Sequence, residues 1–325
     1  MIPSHDIDRV LGYALPHIQQ HVHRQRQEQR RRTPFVLALT GLQGSGKTTW
    51  TTELVRLLND KYNLRTINVS LDDFYLPHDG LVRVREDNAD NKLLQMRGQP
   101  GTHDTVLARE FLDSLSQPAD NDGRSEVLIP AFDKSQFHGE GDRVPRENWE
   151  RVHVSPTAGI DVLVLEGWCV GFQPLDETTI ERKWREARQN QSAGDENTQL
   201  STRTLRDHPL SSHLQINENL KTYCDLFLGP RHLDFLFHLD TDDLANVYRW
   251  RLQQEHALHR TKKKGMTDEE VLAFVKGYMP AYELYLDSVR AGIFNSLSAE
   301  EQTRKGQLRV ILDRERRIVD LVVYT

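Results

Sequence analysis

Gly41-Leu42-Gln43-Gly44-Ser45-Gly46-Lys47-Thr48 constrains this chain more than any other stretch. It satisfies the spacing G-x-x-x-x-G-K-[ST], in which glycines let backbone N–H groups curl around phosphate oxygens with no Cβ in the way. The flanks decide whether the string carries that meaning or is a glycine-rich turn that binds nothing. Phe35-Val36-Leu37-Ala38-Leu39 precedes it as an apolar run of buried-strand length. Trp50, Leu54, Leu57 and Leu58 follow at helical spacing. Strand, glycine loop and helix in that order put the partial positive charge of a helix N-terminus beside the loop. On this reading Gly41, Gln43, Gly44, Ser45, Gly46, Lys47, Thr48 and Thr49 hold a nucleoside triphosphate. Lys47 reaches the β/γ-phosphates, and Thr48 offers its hydroxyl to Mg²⁺.

Composition narrows the partners. With 42 Lys and Arg against 48 Asp and Glu, the net charge of −6 argues against nucleic acid as the main partner. Hydrophobic residues at 37% and charged ones at 28% indicate a soluble globular chain with polar insertions. No apolar run reaches spanning length, which argues against an integral membrane role. The N-terminus lacks the apolar core of a secretory signal. Two cysteines, Cys169 and Cys224, cannot build a disulfide framework, so a reducing cytosolic or nuclear compartment is expected.

Val10, Leu11, Ala14, Leu15, Ile18 and Val22 predict a helix before the first strand. It ends in Arg24, Arg26, Arg30, Arg31 and Arg32, either a localisation or acidic-partner patch or a solvated helix end. Residues 66–71 predict a second strand ending at Asp72-Asp73-Phe74-Tyr75. A long polar connection follows Pro77, with helix near 106–115 and a short strand at 127–130. Asp161-Val162-Leu163-Val164-Leu165 predicts the next core strand, ending at Glu166-Gly167-Trp168. From 176 to about 209 the charged, amide-rich composition predicts a helix and then a mobile loop. Phe235-Leu236-Phe237-His238-Leu239 is a further strand, followed by a helix over about 242–259. Thr267-Asp268-Glu269-Glu270 is a capping box that opens another helix, with Val271, Phe274, Val275 and Tyr278 on its buried face. The tail pairs 308–312 with 318–324 as a hairpin or edge strands. Strands alternating with helices imply an α/β fold, a mostly parallel sheet covered on both faces. The carboxyl ends of its strands bring residues 41–48, Asp72, Asp73 and Glu166 into one crevice. The organisation read from the chain is an N-terminal helix with a basic end over 1–33, then one domain over 34–325.

Phosphoryl transfer needs a phosphate cradle, a metal, a group on the nucleophile, and positive charge for the transition state. Asp72 or Asp73 supplies a carboxylate that accepts a proton from a hydroxyl; the alternative is a strand-end Asx turn. Glu166 caps an apolar strand and suits Mg²⁺ through water. Arg249 and Arg251 lie where a lid closes, or are surface arginines paired with Glu255 or solvent. Lys262-Lys263-Lys264 reads as a solvated loop. Arg97-Gly98-Gln99-Pro100-Gly101-Thr102-His103-Asp104 and Pro130-Ala131-Phe132-Asp133-Lys134-Ser135, continuing to His138-Gly139-Glu140-Gly141-Asp142-Arg143, present donors to a small polar ligand or are ordinary surface loops. The histidines and cysteines lack zinc spacing, and no nucleophile-elbow serine occurs.

Gly41-x-x-Gly44-x-Gly46-Lys47-Thr48, Leu71-Asp72-Asp73-Phe74-Tyr75 and Leu165-Glu166-Gly167-Trp168 together resemble the phosphoribulokinase/uridine kinase group of P-loop kinases. Within it, Arg97-Gly98-x-Pro100-Gly101-Thr102-His103-Asp104 resembles the R-G-x-P-G-[ST]-H-D segment of D-glycerate 3-kinase-like proteins and their fungal relatives. Phe132-Asp133-Lys134-Ser135 with Gly139-x-Gly141-Asp142-Arg143 resembles their [YF]-D-K-S…G-x-G-D-R segment. Tyr248-Arg249-Trp250-Arg251-Leu252-Gln253-Gln254-Glu255 and the stretch from Gly265-Met266-Thr267 to Tyr278-Met279-Pro280 look like the fungal branch. The resemblance covers nearly the whole chain after Thr33, apart from the polar insertion around 189–201.

It implies a three-layer α/β/α P-loop kinase fold with a central, mostly parallel sheet. It implies ATP and Mg²⁺ as cofactors and a small, anionic acceptor, with D-glycerate the best single choice. Asp72 falls at the base, Asp73 assists or binds substrate, Glu166 takes the Walker B position, and Arg251 is the lid arginine. Tyr75, Arg97, His103, Asp104, Asp133, Lys134 and Arg143 of the matched segments fall on the acceptor side, where a carboxylate calls for such donors. A nucleoside or pantothenate kinase of the same superfamily remains open, as does an ATP-binding regulatory protein without acceptor phosphorylation. A GTPase switch is disfavoured, since no N-K-x-D guanine-reading motif occurs.

Overall fold

Strands that run through several apolar residues with no alternation belong in a sheet covered on both faces. The computed structural model describes residues 3–27, 33–116, 125–154, 159–189, 200–262 and 265–324, and puts such strands at its centre. In chain order the elements are α1 (Ser4–Gln27), β1 (Phe35–Gly41), α2 (Lys47–Arg56), β2 (Thr66–Ser70), α3 (His78–Asp87) and α4 (Thr105–Ser114). Then come β3 (Ser125–Ile129), β4 (Phe132–Asp133), β5 (Asp142–Arg143), β6 (Glu150–Val154), β7 (Val162–Gly167), α5 (Glu177–Gln189) and α6 (Leu210–Tyr223). The chain continues through β8 (Phe235–Asp240), α7 (Ala245–Lys262), α8 (Asp268–Lys276), α9 (Met279–Ala291), α10 (Ala299–Gln302), β9 (Gly306–Leu312) and β10 (Ile318–Tyr324).

The main sheet has the order β10-β9-β8-β1-β7-β2, parallel from β9 to β2, with β10 antiparallel at the edge. Every residue of β8 is buried, and β1 and β7 each carry one partly exposed position. This is the three-layer α/β/α arrangement. β1 is flanked by strands from much later in the chain, so the sheet reverses its winding there. Ligands of open α/β sheets bind at such switch points, beyond the carboxyl ends of the strands. The register sets those ends level: Glu166 lies opposite both Leu39 of β1 and Ser70 of β2, and Leu239 lies opposite Gly41.

α1 buries Ile7, Val10, Leu11, Ala14, Ile18 and Val22 against α2, β1 and β9, each large apolar side chain contributing about 2 kcal/mol. Arg24 and Arg26 stand in its last turn; Arg30, Arg31 and Arg32 lie outside the described residues. The capping box at Thr267 is formed, with Thr267 Oγ1 accepting from the Glu270 N–H and Glu270 accepting from the Thr267 N–H. No helix among the described residues is long and apolar enough to cross a membrane.

Three features depart from the sequence reading. The connection after Pro77 contains the helix α3, which buries only Leu81 and is otherwise polar, so it carries no apolar stripe to read. α6 is also unforeseen, because its buried face includes Ser212, His213 and Asn217. Those polar groups are satisfied at a distance: Asn217 exchanges two hydrogen bonds with the Leu175 backbone, and His213 meets the Leu205 carbonyl at 2.8 Å. The strand expected at 127–130 is β3, paired with β6 in a separate two-stranded sheet. The polar insertion begins with α5 as expected; the loop expected after it falls mainly on 190–199, outside the described residues.

Past that insertion the chain is tied down by Glu283 of α9, whose Oε1 accepts from the Thr204 N–H at 2.6 Å and the Leu205 N–H at 2.8 Å. Burial pushes the Glu283 carboxyl up from 4.5 to about 7, against the pull of those donors. A folded-state pKa above the unfolded one gives stability that is complete below the unfolded value and lost as pH rises through the folded value. The fold therefore loses up to about 3 kcal/mol between roughly pH 4.5 and 7 through this one group. Glu283→Gln keeps the accepting oxygen and is expected to flatten that slope, as read from denaturation midpoints across the same pH range.

Candidate active site

The glycine loop joins the end of β1 to the N-terminus of α2, and its shape requires glycine at two points. Gly44 has φ of 77° and Gly46, the residue before α2, has φ of 98°, a region that favours glycine. A Cβ on Gly44 would also lie 2.8 Å from Trp250 Cβ, because α7 packs directly onto the loop. Lys47 Nζ donates back to the carbonyls of Gly41 at 2.8 Å and Leu42 at 3.3 Å, closing the curl. Burial lowers the pKa of its ammonium, against the opposing pull of the Glu166 and Asp72 carboxylates. Ser45 is fully buried, its Oγ without a protein partner, while Thr48 and Thr49 stand exposed in the first turn of α2.

At the end of β2 the chain turns sharply, and its two aspartates take different partners. Asp73 reaches back to accept from the Ser70 N–H at 2.9 Å, while Ser70 Oγ accepts from the Asp72 N–H at 3.2 Å. Burial, with Asp72 and Glu166 nearby, pushes the Asp73 carboxyl up to about 6 despite that bond. Asp72 instead forms an ion pair with Lys134. Burial alone would raise the Asp72 carboxyl, but Lys134, His103 and a hydrogen bond from Tyr75 outweigh it and hold the group below the usual carboxylate range. Glu166 is raised by burial, with Lys47 and a hydrogen bond to Ser70 pulling the other way. Lys47, Asp72, Glu166 and Lys134 thus meet at neighbouring strand ends.

The residues of the two matched loop segments, expected on the acceptor side, are held largely by one another. Tyr75 stacks on His103 at 4.3 Å and meets Phe132 edge-on at 5.2 Å. The Arg97 guanidinium lies over both Tyr75 and Phe132 and donates to the Gly139 and Glu140 carbonyls. Arg143 donates to the Tyr75 carbonyl at 2.9 Å and to Asp104 at 3.0 Å, while Asp104 also caps α4 through the Leu107 N–H. Asp133 accepts from Ser135 and Gln136 within its own turn. Lys134 alone among the matched acceptor-loop cations pairs with Asp72.

On α7, Arg251 pairs with the buried Glu255, donates to Gln254 at 2.8 Å and lies over the Phe274 ring. Its backbone N is 3.2 Å from where a Gly44 Cβ would stand, so the residue borders the phosphate loop. Arg249 points back to Asp243 and Asn246, at 2.8 Å each.

Sequence reasoning missed several supports of this site. Arg316, in the β9–β10 turn, donates from Nε to the Gly44 carbonyl at 2.6 Å and from Nη2 to the Trp250 carbonyl at 3.0 Å. The Tyr282 hydroxyl accepts from the Gln43 N–H at 3.1 Å. Trp168 donates to the Gly98 carbonyl at 2.9 Å and packs edge-on against Tyr278. Tyr223 supports the Gly101–His103 turn. Of these only Trp168 carried a signal, as the last residue of the Leu165-Glu166-Gly167-Trp168 segment.

No family model matches the chain. It is 37% identical to an uncharacterized kinase of Schizosaccharomyces pombe, mug58, over 283 residues, which are 87% of this chain and 89% of that one. It is 38% identical to the probable ATP-dependent kinase TDA10 of Saccharomyces cerevisiae over 269 residues, 82% of each chain. Among solved structures, D-glycerate 3-kinase from Cryptococcus neoformans var. grubii matches 98% of this chain and 99% of its own, with a TM-score of 0.76 and 33% identity. The similarity therefore runs through nearly the whole chain, and the chain belongs to this family of ATP-dependent P-loop kinases.

Proposed function

We propose that this kinase transfers the γ-phosphoryl group of ATP to a hydroxyl of D-glycerate. The observation that carries the reading is the Asp72–Lys134 pair at the strand end beside Lys47: an ionised carboxylate held by a half-exposed ammonium next to a phosphate cradle. The likeness to a D-glycerate 3-kinase of known structure supports the choice of acceptor.

The glycine loop suits the phosphates, since the space at Gly44 admits no Cβ and the backbone curls around Lys47. Thr48 and Glu166 are hard oxygen donors that suit Mg²⁺, Glu166 through water. Among the described residues no group of three or more His, Cys, Asp or Glu forms a metal cage, and Mg²⁺ needs none where phosphate oxygens complete its shell. When bound it neutralises charge on the β- and γ-oxygens. Asp72 accepts the hydroxyl proton on a carboxylate oxygen as transfer begins. Lys134 exchanges Asp72 for the acceptor's own carboxylate, a charge-assisted contact. Lys47 and Arg251 stabilise the transferring group. Tyr75, Arg97, His103, Asp104, Asp133 and Arg143 build and brace the acceptor wall, and Asp73 fixes the turn that aims Asp72. Both cysteines are free thiols, which supports a reducing cytoplasmic or nuclear compartment.

A panel of D-glycerate, uridine and pantothenate, each added to the purified chain with MgATP, tests the assignment by ADP release. D-glycerate is expected to exceed the others by at least roughly tenfold in kcat/KM, since uridine lacks the carboxylate such a site pairs and pantothenate carries its carboxylate far along the chain from its primary hydroxyl. A larger response to uridine or pantothenate overturns the acceptor. No response to any of the three favours an ATP-binding regulatory role.

A further inference from the structure

Tyr223 is the last residue of α6, far in sequence from every segment that carries chemistry, yet its hydroxyl lies under the acceptor loop. The Gly101 N–H donates to it at 2.7 Å and the His103 N–H at 3.0 Å, while His103 Nδ1 lies 2.9 Å away. A phenol oxygen has two lone pairs and one proton. Two backbone donors use the lone pairs, so the proton goes to Nδ1. Nδ1 is then the acceptor, and the proton of the neutral ring sits on Nε2.

That proton has no protein partner. His103 is only 4% exposed, and Nε2 is a buried nitrogen without a hydrogen bond. Burial holds the ring neutral, its pKa lowered to about 4, although the nearby Asp72 carboxylate pulls the other way. Tyr75 covers one face, and the Tyr223 ring stands edge-on at 5.5 Å. A ring flip would break the bond to Tyr223. An unpartnered buried donor is costly unless a ligand completes it.

We infer that Tyr223 is a positioning residue that fixes His103 as its Nε2–H tautomer, so that the ring holds a permanent N–H donor for an oxygen of the acceptor beside Asp72. The inference rests on the kinase reading of this crevice for the acceptor's place, but not for the tautomer.

Long-range ¹⁵N–¹H correlation of the labelled full chain reports the tautomer directly. Wild type is expected to show His103 as Nε2–H, and Tyr223→Phe to lose that preference. Kinetically, Tyr223→Phe is expected to raise KM for D-glycerate roughly tenfold, the weight of one buried hydrogen bond, with KM for ATP unchanged. His103→Gln supplies an amide donor that has no tautomer, so adding Tyr223→Phe in that background is expected to cost little more. A merely structural tyrosine would cost the same in both backgrounds, and that result overturns the inference, as does an Nδ1–H ring in wild type. If D-glycerate is not turned over at all, the acceptor assignment falls. The tautomer of wild type and of Tyr223→Phe then decides this inference alone.

Discussion

Asp72→Asn is expected to lower kcat by roughly 10²–10⁴, the contribution of one positioned base. Asparagine keeps the shape and the accepting oxygen but takes no proton. Nucleotide binding should survive, because the closing bonds of the loop run from Lys47 to Gly41 and Leu42 and none involves Asp72. The fold should survive too: Lys134 is mostly exposed and returns to water when its partner is neutral. Asp73 cannot take over, since it is held by the Ser70 N–H. Acceptor-dependent ADP release measured beside equilibrium ATP binding separates the two functions. Turnover equal to wild type would remove Asp72 from the base role.

The second large effect is expected at Arg251, and it needs a paired design. A guanidinium on the transferring group is worth on the order of 10³ or more in kcat. Arg251→Met alone would leave Glu255, 3% exposed, without its counter-charge, and a buried unpaired carboxylate costs about 3–5 kcal/mol. Loss of activity would then be indistinguishable from loss of fold. Arg251→Met with Glu255→Gln removes both charges, keeps an apolar stem against Phe274 and leaves an acceptor for the Met266 N–H. This double variant is expected to melt near wild type and to lose roughly 10³ in kcat. Arg249→Ala, which gives up only local contacts to Asp243 and Asn246, is the matched control. If the double variant turns over like the control, the lid cation is another residue.

How much of this was legible follows from the range of the contacts. β1, β7 and β8 announce themselves because each opens on an unbroken apolar run, and the Thr267 box because its partners are three residues apart. The glycine loop is readable for the same local reason. α3 and α6 are not, because α3 buries only Leu81 and α6 sets Ser212, His213 and Asn217 on its buried face, Asn217 paired with Leu175 42 positions away, so no apolar period survives in the sequence. The two aspartates of the β2 turn were visible as a pair, but not which one would be spent on the Ser70 N–H. Lys134 lay in a matched segment, yet its pairing with Asp72 spans 62 positions. Tyr223, Tyr282 and Arg316 act across 120, 239 and 272 positions, and nothing near them marks their partners.

The arginine of the β9–β10 turn has a consequence in time. β1 and its glycine loop emerge early from the ribosome, whereas the strands that flank β1 begin at residues 162 and 235. The guanidinium that grips the Gly44 carbonyl follows 272 positions later. At 5–20 residues per second of translation, that delay is on the order of half a minute. Early in that interval the nascent chain carries a phosphate cradle without its neighbouring strands, and to the end of it a cradle without its clamp. Nucleotide therefore cannot template the first steps of folding. It adds its binding free energy only to the last-assembled contacts, so bound nucleotide favours the folded chain over its partly built precursors.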